Sequence, residues 1–175
     1  MFSLYDAIQS IRSFIEAGGE VLYAIAGLTF FMWLLVFERV WYFRFGLPAD
    51  INAVVTYWEG RAERRSWSAK AIRRALIARA RTKIETNLGM IKVCVSLCPL
   101  LGLLGTVTGM IVVFHVMAVT GGGDAKSMAG GVSRATIPTM AGMVAAISGV
   151  FGNIWVTRIA ERELHLLEDR ITTDH

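Results

Sequence analysis

A long uncharged run, residues 93–123, lies between Lys92 and Asp124 and constrains the fold more than any other feature. About 20 consecutive apolar residues suffice to cross a bilayer as a helix, and this run exceeds that length. Two further uncharged runs, residues 21–37 and 135–157, also lie between charged residues. With 54% hydrophobic residues and a mean hydropathy of +0.51, the composition is unusual for a soluble domain. We therefore predict an all-α membrane protein with three transmembrane helices.

Small residues follow a helical spacing within the central run. They recur at intervals of three and four positions: Gly102, Gly105, Thr106, Thr108 and Gly109. Small side chains at this spacing let neighbouring helices approach closely, and a helix that met only lipid would not need them. We therefore predict that this helix packs inside a bundle, with Gly142 contributing to the packing from the third run.

Basic residues are distributed unevenly and predict the orientation of the chain. Most of them lie from Arg39 to Lys92, whereas the second loop has only Lys126 and the N-terminal segment only Arg12. Because Lys and Arg are enriched in cytoplasmic loops, the N-terminus should be periplasmic and the C-terminus cytoplasmic. The formal charge of +4 is then mostly a consequence of topology. Nucleic-acid binding is the alternative use of such a loop, but no aromatic stacking pattern accompanies the charges, so we expect no nucleic-acid partner.

These features divide the chain into seven segments. We expect Gly18 and Gly19 to break the chain before the first span, and we expect no removed signal peptide, because no small-residue cleavage site follows a short apolar stretch. The predicted segments are a periplasmic amphipathic helix (1–19), a first transmembrane helix (20–45), a cytoplasmic helical region (46–92), a second transmembrane helix (93–119), a periplasmic loop (120–133), a third transmembrane helix (134–157) and a cytoplasmic helical tail (158–175).

Both cytoplasmic segments have amphipathic patterns. A short helix is predicted over residues 49–61, and Ser66 and Ser68 are candidate N-caps of a second helix. From there no glycine or proline appears before Gly89, so we predict one long helix that continues into the second span. The two extensions should pack on each other or on neighbouring subunits. The tail has its apolar residues at intervals of four, three and four: Ala160, Leu164, Leu167 and Ile171.

Hydroxyl groups are the main polar side chains inside the second and third spans. Threonine in a membrane helix can bond its own backbone, which gives it a purely structural role. Small residues surround Thr106 and Thr139, however, and both helices can turn that face toward a common lumen. Pro138 predicts a kink or bulge beside Thr139, because it removes one backbone hydrogen bond. The four threonines concerned are Thr106, Thr108, Thr136 and Thr139.

Neither the second nor the third span contains a carboxylate. A proton path needs a titratable group, and hydroxyl groups do not titrate at physiological pH. His115 could relay protons, because histidine is the side chain most often used for proton transfer at neutral pH, but a histidine in this setting is more often a packing group. Glu38 and Arg39 close the first span and are interpreted as interfacial anchors. If the protein handles protons, the carboxylate must therefore come from another chain.

The remaining candidates give no sign of enzymatic chemistry. Arg134 can pair with a carboxylate such as Asp124 or extend to the interface. Cys94 and Cys98, one helical turn apart, fit packing better than a metal site, because no other ligand lies nearby in the sequence. We find no nucleophile–base pair, metal-ligand spacing or phosphate loop. We predict that the chain is not an enzyme and needs no metal or cofactor.

Two motifs in the spans resemble those of a known family. Residues 99–111 (PLLGLLGTVTGMI), with Phe114, look like the second-span signature of the ExbB/TolQ/MotA proton-channel family. Residues 131–133 (GVS), Ala135 and residues 139–145 (TMAGMVA) resemble its third-span signature. The three-span topology and the single basic loop make the chain most similar to the ExbB branch.

The resemblance implies a mechanism and a set of partners. Members of the ExbB branch form a pentameric ring around a dimer of ExbD, whose transmembrane helix carries an aspartate that takes protons. Proton flow energises TonB, which drives transport across the outer membrane from the bacterial inner membrane. The threonines matching Thr106 and Thr139 face the aspartate. On this basis we expect Thr108 and Thr136 to line the same pathway, and Arg134 to lie at the pore mouth or to contact a partner.

The chain departs from the family pattern near the third span. Arg134 stands where many members have a glutamate, Pro138 directly precedes the threonine, and Ser148 replaces a common proline. This pattern resembles the ExbB variants of second-type TonB systems.

Two other functions remain open. One is a TolQ-like subunit of envelope maintenance, and the other is a membrane scaffold that stabilises a partner and needs the same small packing residues.

Overall fold

The structure is a computed structural model that describes residues 4–61, 63, 66–121 and 125–171. The described chain is helical almost throughout, which confirms the all-α prediction. The elements follow in the order α1 (Leu4–Trp41), a π-helical turn (Tyr42–Gly46), α2 (Leu47–Glu59), α3 (Trp67–Glu85), α4 (Leu88–Thr120), α5 (Ala125–Ala135) and α6 (Ile137–Arg170).

Three helical stretches of the described chain are long and apolar enough to cross a membrane. They lie within Gly18–Glu59, Trp67–Val119 and Met128–Arg170, in agreement with the three predicted spans. Large apolar side chains remain exposed on them; Phe30 and Phe151 are 73% and 70% exposed. Such an apolar surface is suited to lipid or to neighbouring protein rather than to water. The chain is therefore a multi-pass membrane protein.

A kink divides α1 near its N-terminal end. Gly19 has φ +67° and ψ −163°, a conformation that glycine adopts readily because it has no Cβ. The predicted break at Gly18 and Gly19 is thus confirmed. The amphipathic face predicted for the preceding helix falls largely on side chains outside the described residues.

The predicted continuous helix from the cytoplasmic region into the second span is wrong. Helix α3 ends at Glu85 and α4 begins at Leu88. Between them Asn87 has φ +63°, in the left-handed region. Asparagine tolerates this region better than most residues because its short polar side chain can bond locally. The break was missed because neither a glycine nor a proline marks it.

The connection before the third span also differs from the prediction. Residues 120–133 were expected to form a loop, but α5 occupies most of this segment. The chain breaks at Thr136, and Pro138 is the second residue of α6 instead of a kink within a helix. Proline is well tolerated in the first turn of a helix, where its missing N–H has no partner to lose. Arg134 consequently lies in the last turn of α5 and not in α6.

The chain divides into two compact units, and unit 1 combines Met1–Met32 with Val93–Val150. Its buried cluster contains Ile25, Cys98 and Ala145, contributed by α1, α4 and α6. Cys98 is a free cysteine with 0% exposure. A thiol in these surroundings packs as a small apolar side chain.

Unit 2 combines Trp33–Lys92 with Phe151–His175. Ser66 caps α3, because its hydroxyl oxygen accepts a hydrogen bond from the backbone N–H of Ala69 at 3.1 Å, as predicted. Trp58 is 1% exposed and is among the largest fully buried side chains. The four apolar residues predicted to face inward from the tail are all buried: Ala160, Leu164, Leu167 and Ile171.

Arg73 joins α3 to the end of the chain within unit 2. Its Nε donates to the carbonyl oxygen of Ile171, and its Nη2 donates to the carbonyl oxygen of Glu168 at 3.3 Å. A cation at the C-terminus of a helix also interacts favourably with the helix dipole. Helix α3 and the C-terminal part of α6 therefore pack on each other, which is one of the two arrangements predicted for these amphipathic segments.

Candidate functional site

Helices α4 and α6 approach so closely in unit 1 that their backbones are almost in contact. A Cβ atom added to Gly102 would lie 3.0 Å from the carbonyl oxygen of Pro138 and 3.0 Å from the Cα of Thr139. A Cβ added to Gly142 would lie 2.5 Å from the carbonyl oxygen of Cys98. Larger side chains at these two glycines would force the helices apart.

The close contact continues along α4 at the other two glycines predicted for packing. A Cβ added to Gly105 would overlap the ring of Pro138, and one added to Gly109 would lie 2.8 Å from the Cβ of Ala135. All four glycines therefore face the neighbouring helical segment. We call this contact the glycine seam: Gly102, Gly105, Gly109 and Gly142 with the residues opposite them, Cys98, Ala135, Pro138 and Thr139.

The seam brings together two of the four predicted threonines. The hydroxyl groups of Thr106 and Thr139 are in hydrogen-bonding contact. Each also reaches the carbonyl oxygen of Gly102, at 3.2 Å from Thr106 and 3.0 Å from Thr139. Both side chains are half-buried. The two hydroxyl groups and this carbonyl oxygen therefore form one polar cluster in an otherwise apolar contact.

The polar cluster has three close contacts but only two hydroxyl protons. Each hydroxyl has one proton to donate and two lone pairs with which to accept. When both protons are donated inside the cluster, either to Gly102 or between Thr106 and Thr139, none remains to donate outward. The lone pairs left on the hydroxyl oxygens then make the cluster an acceptor for a proton-bearing group from outside.

Thr108 and Thr136 do not join this cluster. The hydroxyl of Thr108 donates to the carbonyl oxygens of Leu104 and Gly105, at 3.0 and 3.1 Å. The hydroxyl of Thr136 donates to the carbonyl oxygen of Ser133 at 2.8 Å, and both threonines are exposed. These are local backbone bonds of the structural kind. A place for these two residues in a proton pathway stays a prediction.

The charged and titratable candidates near this unit are exposed. His115 is exposed on α4, and Arg134 is exposed in the last turn of α5. A cation in this position interacts favourably with the C-terminal end of the helix dipole. Asp124, the suggested partner of Arg134, lies outside the described residues. The role of Arg134 at a pore mouth stays a prediction.

The residue that the sequence analysis undervalued is Arg39, in unit 2. It was interpreted as an interfacial anchor, but it is only 3% exposed. Its Nη1 donates to the carbonyl oxygen of Lys83 at 3.3 Å, and its guanidinium carbon lies 5.2 Å from the ring centre of Tyr42 and 5.9 Å from that of Phe43. A guanidinium group on aromatic faces is stabilised by the ring electrons. The neighbouring aromatic residues in the sequence were a sign of this burial.

Further polar pairs surround Arg39 within unit 2. Asn87 donates from Nδ2 to the carboxylate of Glu38 at 3.3 Å. Asp50 accepts a hydrogen bond from the hydroxyl of Tyr42 at 2.7 Å, and the ammonium group of Lys83 lies 3.1 Å from it. The bonds from Tyr42 and Lys83 hold the pKa of Asp50 below its ordinary value. We call these residues the polar joint: Glu38, Arg39, Tyr42, Asp50, Lys83 and Asn87.

Comparison with known proteins places the chain among transport proteins. Residues 50–169 match the profile of the MotA/TolQ/ExbB proton channel family. A stretch of 61 residues is 46% identical to a biopolymer transport protein described as ExbB-like from Synechocystis sp., covering 33% of this chain and 24% of the relative. A stretch of 64 residues is 46% identical to the biopolymer transport protein ExbB of Helicobacter pylori, covering 37% of this chain and 44% of the relative. The matches thus span less than half the length of either relative.

Proposed function

Because the chain belongs to the MotA/TolQ/ExbB proton channel family, we propose that it is a proton-channel subunit of a motor in the bacterial inner membrane. With an ExbD-like partner it uses the proton motive force to energise TonB-dependent transport across the outer membrane. The ExbB-named relatives favour this branch of the family over the others. The N-terminus is periplasmic and the C-terminus cytoplasmic, as the distribution of basic residues indicates.

The observation that carries the proposal is the polar cluster of Thr106, Thr139 and the Gly102 carbonyl. It offers hydroxyl lone pairs in an otherwise apolar contact between two helices. A protonated carboxyl group donates a hydrogen bond and is matched to such acceptors. An ionised carboxylate only accepts, so it requires a hydroxyl to turn outward. The cluster therefore distinguishes the two protonation states of an acid placed against it.

The acid itself comes from a partner chain. Residues 93–123 and 135–157 contain no carboxylate, and hydroxyl groups alone do not exchange protons at neutral pH. A ring of these subunits, five in the arrangement that the resemblance implies, encloses the partner's aspartate between its second and third spans. Lipid surrounds the outer surface of the ring.

The energy available is adequate for mechanical work. One elementary charge crossing a membrane potential of 100 mV releases about 2.3 kcal/mol. A net hydrogen bond contributes about 1 kcal/mol, so a few protons suffice to break several contacts between ring and partner. The proton motive force can thus shift one part of the motor against the other.

The test replaces one hydroxyl of the cluster. Thr139→Val keeps the shape of the side chain and removes the proton and lone pairs of its hydroxyl. In proteoliposomes that contain the subunit with its aspartate-bearing partner, proton flux under an imposed potential should fall about tenfold, as expected for the loss of roughly 1.4 kcal/mol of hydrogen bonding. Thr29→Val is the matched control, because the hydroxyl of Thr29 in the first span donates to the carbonyl oxygen of Ile25 in its own helix and belongs to no predicted pathway. Unchanged flux in the Thr139 variant, with the complex intact, would sink the pore role.

A membrane scaffold is the second candidate function. The glycine seam favours it, because a scaffold also needs closely packed helices to hold a partner. It predicts that Thr139→Val and Thr29→Val behave alike as long as the complex forms. A TolQ-like subunit of envelope maintenance would use the same proton-driven mechanism, so proton flux does not distinguish it from an ExbB-like subunit. The two differ in the partner that the motor drives. Rescue of envelope integrity but not of TonB-dependent uptake in a strain lacking the subunit would favour the TolQ-like role.

A further inference from the structure

A groove lies between α2 and α3 within unit 2. Its volume is about 250 Å³. Apolar side chains form most of its walls, among them Leu47, Ile51 and Leu76. The charged groups Asp50, Arg79 and Lys83 also line it. The groove is thus an apolar slot with a charged rim.

The charges of the rim leave one positive charge in surplus. The Lys83 ammonium lies 3.1 Å from the Asp50 carboxylate, so these two charges compensate each other. The Tyr42 hydroxyl donates to the second oxygen of the same carboxylate at 2.7 Å. Arg79 is exposed and adds a second positive charge, so the described residues that line the groove have a net charge of +1. A ligand with one negative charge beside an apolar chain complements this arrangement.

The groove begins where the first span leaves the hydrocarbon. Tyr42, which lines it, follows the end of the uncharged run 21–37 by five residues, roughly 8 Å along a helix. Trp41 and Phe45 flank Tyr42 and are 70% and 66% exposed. Exposed aromatic side chains after an apolar run are typical of the membrane–water interface. The groove therefore opens at the level of the lipid headgroups.

We propose that this groove binds one acyl chain of an anionic phospholipid, with the phosphate group against Arg79. Its volume lies just below the range of pockets for drug-sized ligands, roughly 300–1,000 Å³, and fits part of one chain. The single negative charge of a phosphodiester matches the surplus charge of the rim. Basic sites at the cytoplasmic surface attract anionic lipids in this way. The assignment to the cytoplasmic leaflet rests on the proposed function, but the binding itself does not.

The experiment counts bound lipids on the full-length chain in mild detergent. Native mass spectrometry follows titrations with phosphatidylglycerol, with zwitterionic phosphatidylcholine and with oleate. We expect one phosphatidylglycerol per chain, and binding at least about tenfold weaker for the other two. Arg79→Glu should weaken phosphatidylglycerol binding about tenfold or more. Arg74→Glu is the matched control, an exposed arginine of the same helix that does not line the groove.

A second variant tests the groove rather than the charge. Ala53 lines the groove and is exposed, so Ala53→Phe fills the slot at the surface and leaves every charge in place. It should abolish phosphatidylglycerol binding, with Ala53→Met as the milder replacement if circular dichroism shows lost helicity. Retained binding in a folded filled variant would overturn the proposal.

Three other results would also contradict the lipid assignment. Equal binding of phosphatidylcholine or oleate would show that the phosphodiester charge is not recognised. Equal losses in the Arg79 and Arg74 variants would indicate general attraction to a basic surface. A change in the number of chains per complex in Ala53→Phe, with lipid binding unaltered, would assign the groove to a second copy of the protein. None of these readouts involves proton flux, so they leave the proposed function to its own test.

Discussion

The glycine seam of unit 1 and the polar joint of unit 2 hold helices together by opposite means. In the seam, absent side chains allow two backbones to meet, and a Cβ on Gly142 would lie only 2.5 Å from a carbonyl oxygen. In the joint, long side chains such as Arg39 extend from one helix to the backbone of another. Close packing tolerates no added atom. A joint of separate polar bonds, in contrast, can lose one member and keep the others.

The difference also separates what each region can do. The seam is narrow enough that two threonine hydroxyls share one carbonyl oxygen, so its polar groups are few and their oxygen atoms are held in place. The joint includes charged groups such as Asp50 and Lys83, which lie beyond the predicted first span and are partly exposed, so water can replace a lost partner there. The seam therefore presents a small set of hydroxyl and carbonyl oxygens between two helices, whereas the joint links helices through long side chains.

The largest effect is expected from adding a single methyl group to the seam. Gly142→Ala forces the α6 backbone away from Cys98 and should lower the free energy of unfolding by about 2–3 kcal/mol. Unfolding by sodium dodecyl sulfate, followed by circular dichroism, measures this change. Gly27→Ala is the control, because a Cβ at Gly27 meets nothing within 4 Å. Equal stability of the two variants would show that the helices are not in close contact.

A smaller effect is expected from removing the buried cation of the joint. Arg39→Ala loses the bond to the Lys83 carbonyl and the contacts with Tyr42 and Phe43, and should cost about 2 kcal/mol in the same assay. Arg39→Lys should recover only part of this, because an ammonium group lacks the planar guanidinium surface. Arg44→Ala, at an exposed position, should change the free energy of unfolding very little. Identical losses at the two arginines would contradict the special role of Arg39.

The smallest effect concerns the pH dependence of the joint. The hydrogen bond from Tyr42 and the Lys83 ammonium lower the pKa of Asp50, so its carboxylate stabilises the fold above the unfolded value of about 3.9. This contribution is lost as the pH falls through the folded pKa, and solvent keeps it below about 1 kcal/mol. In Asp50→Asn, the free energy of unfolding should therefore fall less steeply as the pH is lowered into the acid range. Asp169→Asn should leave this pH dependence unchanged. An equally steep loss of folding stability at acid pH in Asp50→Asn would show that another group causes the acid sensitivity.

The seam was largely predictable from the sequence, because its pattern is local. Glycines at intervals of three and four residues define one face of a helix; Thr106 follows Gly105 directly, and Thr139 precedes Gly142 by three residues. Thr108 was a candidate by the same reasoning, yet it lies on the exposed face of α4. Composition and spacing alone did not show which of two nearby threonines faces the neighbouring helix.

The joint was not predictable, because its partners are distant in the sequence. Arg39 and Lys83 are separated by 44 residues, and Glu38 and Asn87 by 49. Asn87 itself lies at the break between α3 and α4, which no glycine or proline marks. Asparagine tolerates a positive φ but does not require one, so its presence alone does not predict a break. Helix α5 was likewise not predicted, and residues 120–133 were expected to form a loop.

The shared carbonyl of Gly102 allows the direction of hydrogen bonding in the threonine cluster to reverse. A carbonyl oxygen has two lone pairs, and the regular helix of α4 already uses one for the amide four residues later. Thr106 and Thr139 therefore compete for the other. In one state Thr106 donates to Thr139, which donates to the carbonyl; in the second state the direction is reversed. Rotating two hydroxyl groups interconverts these states and inverts the local dipole while every carbon, nitrogen and oxygen atom stays in place.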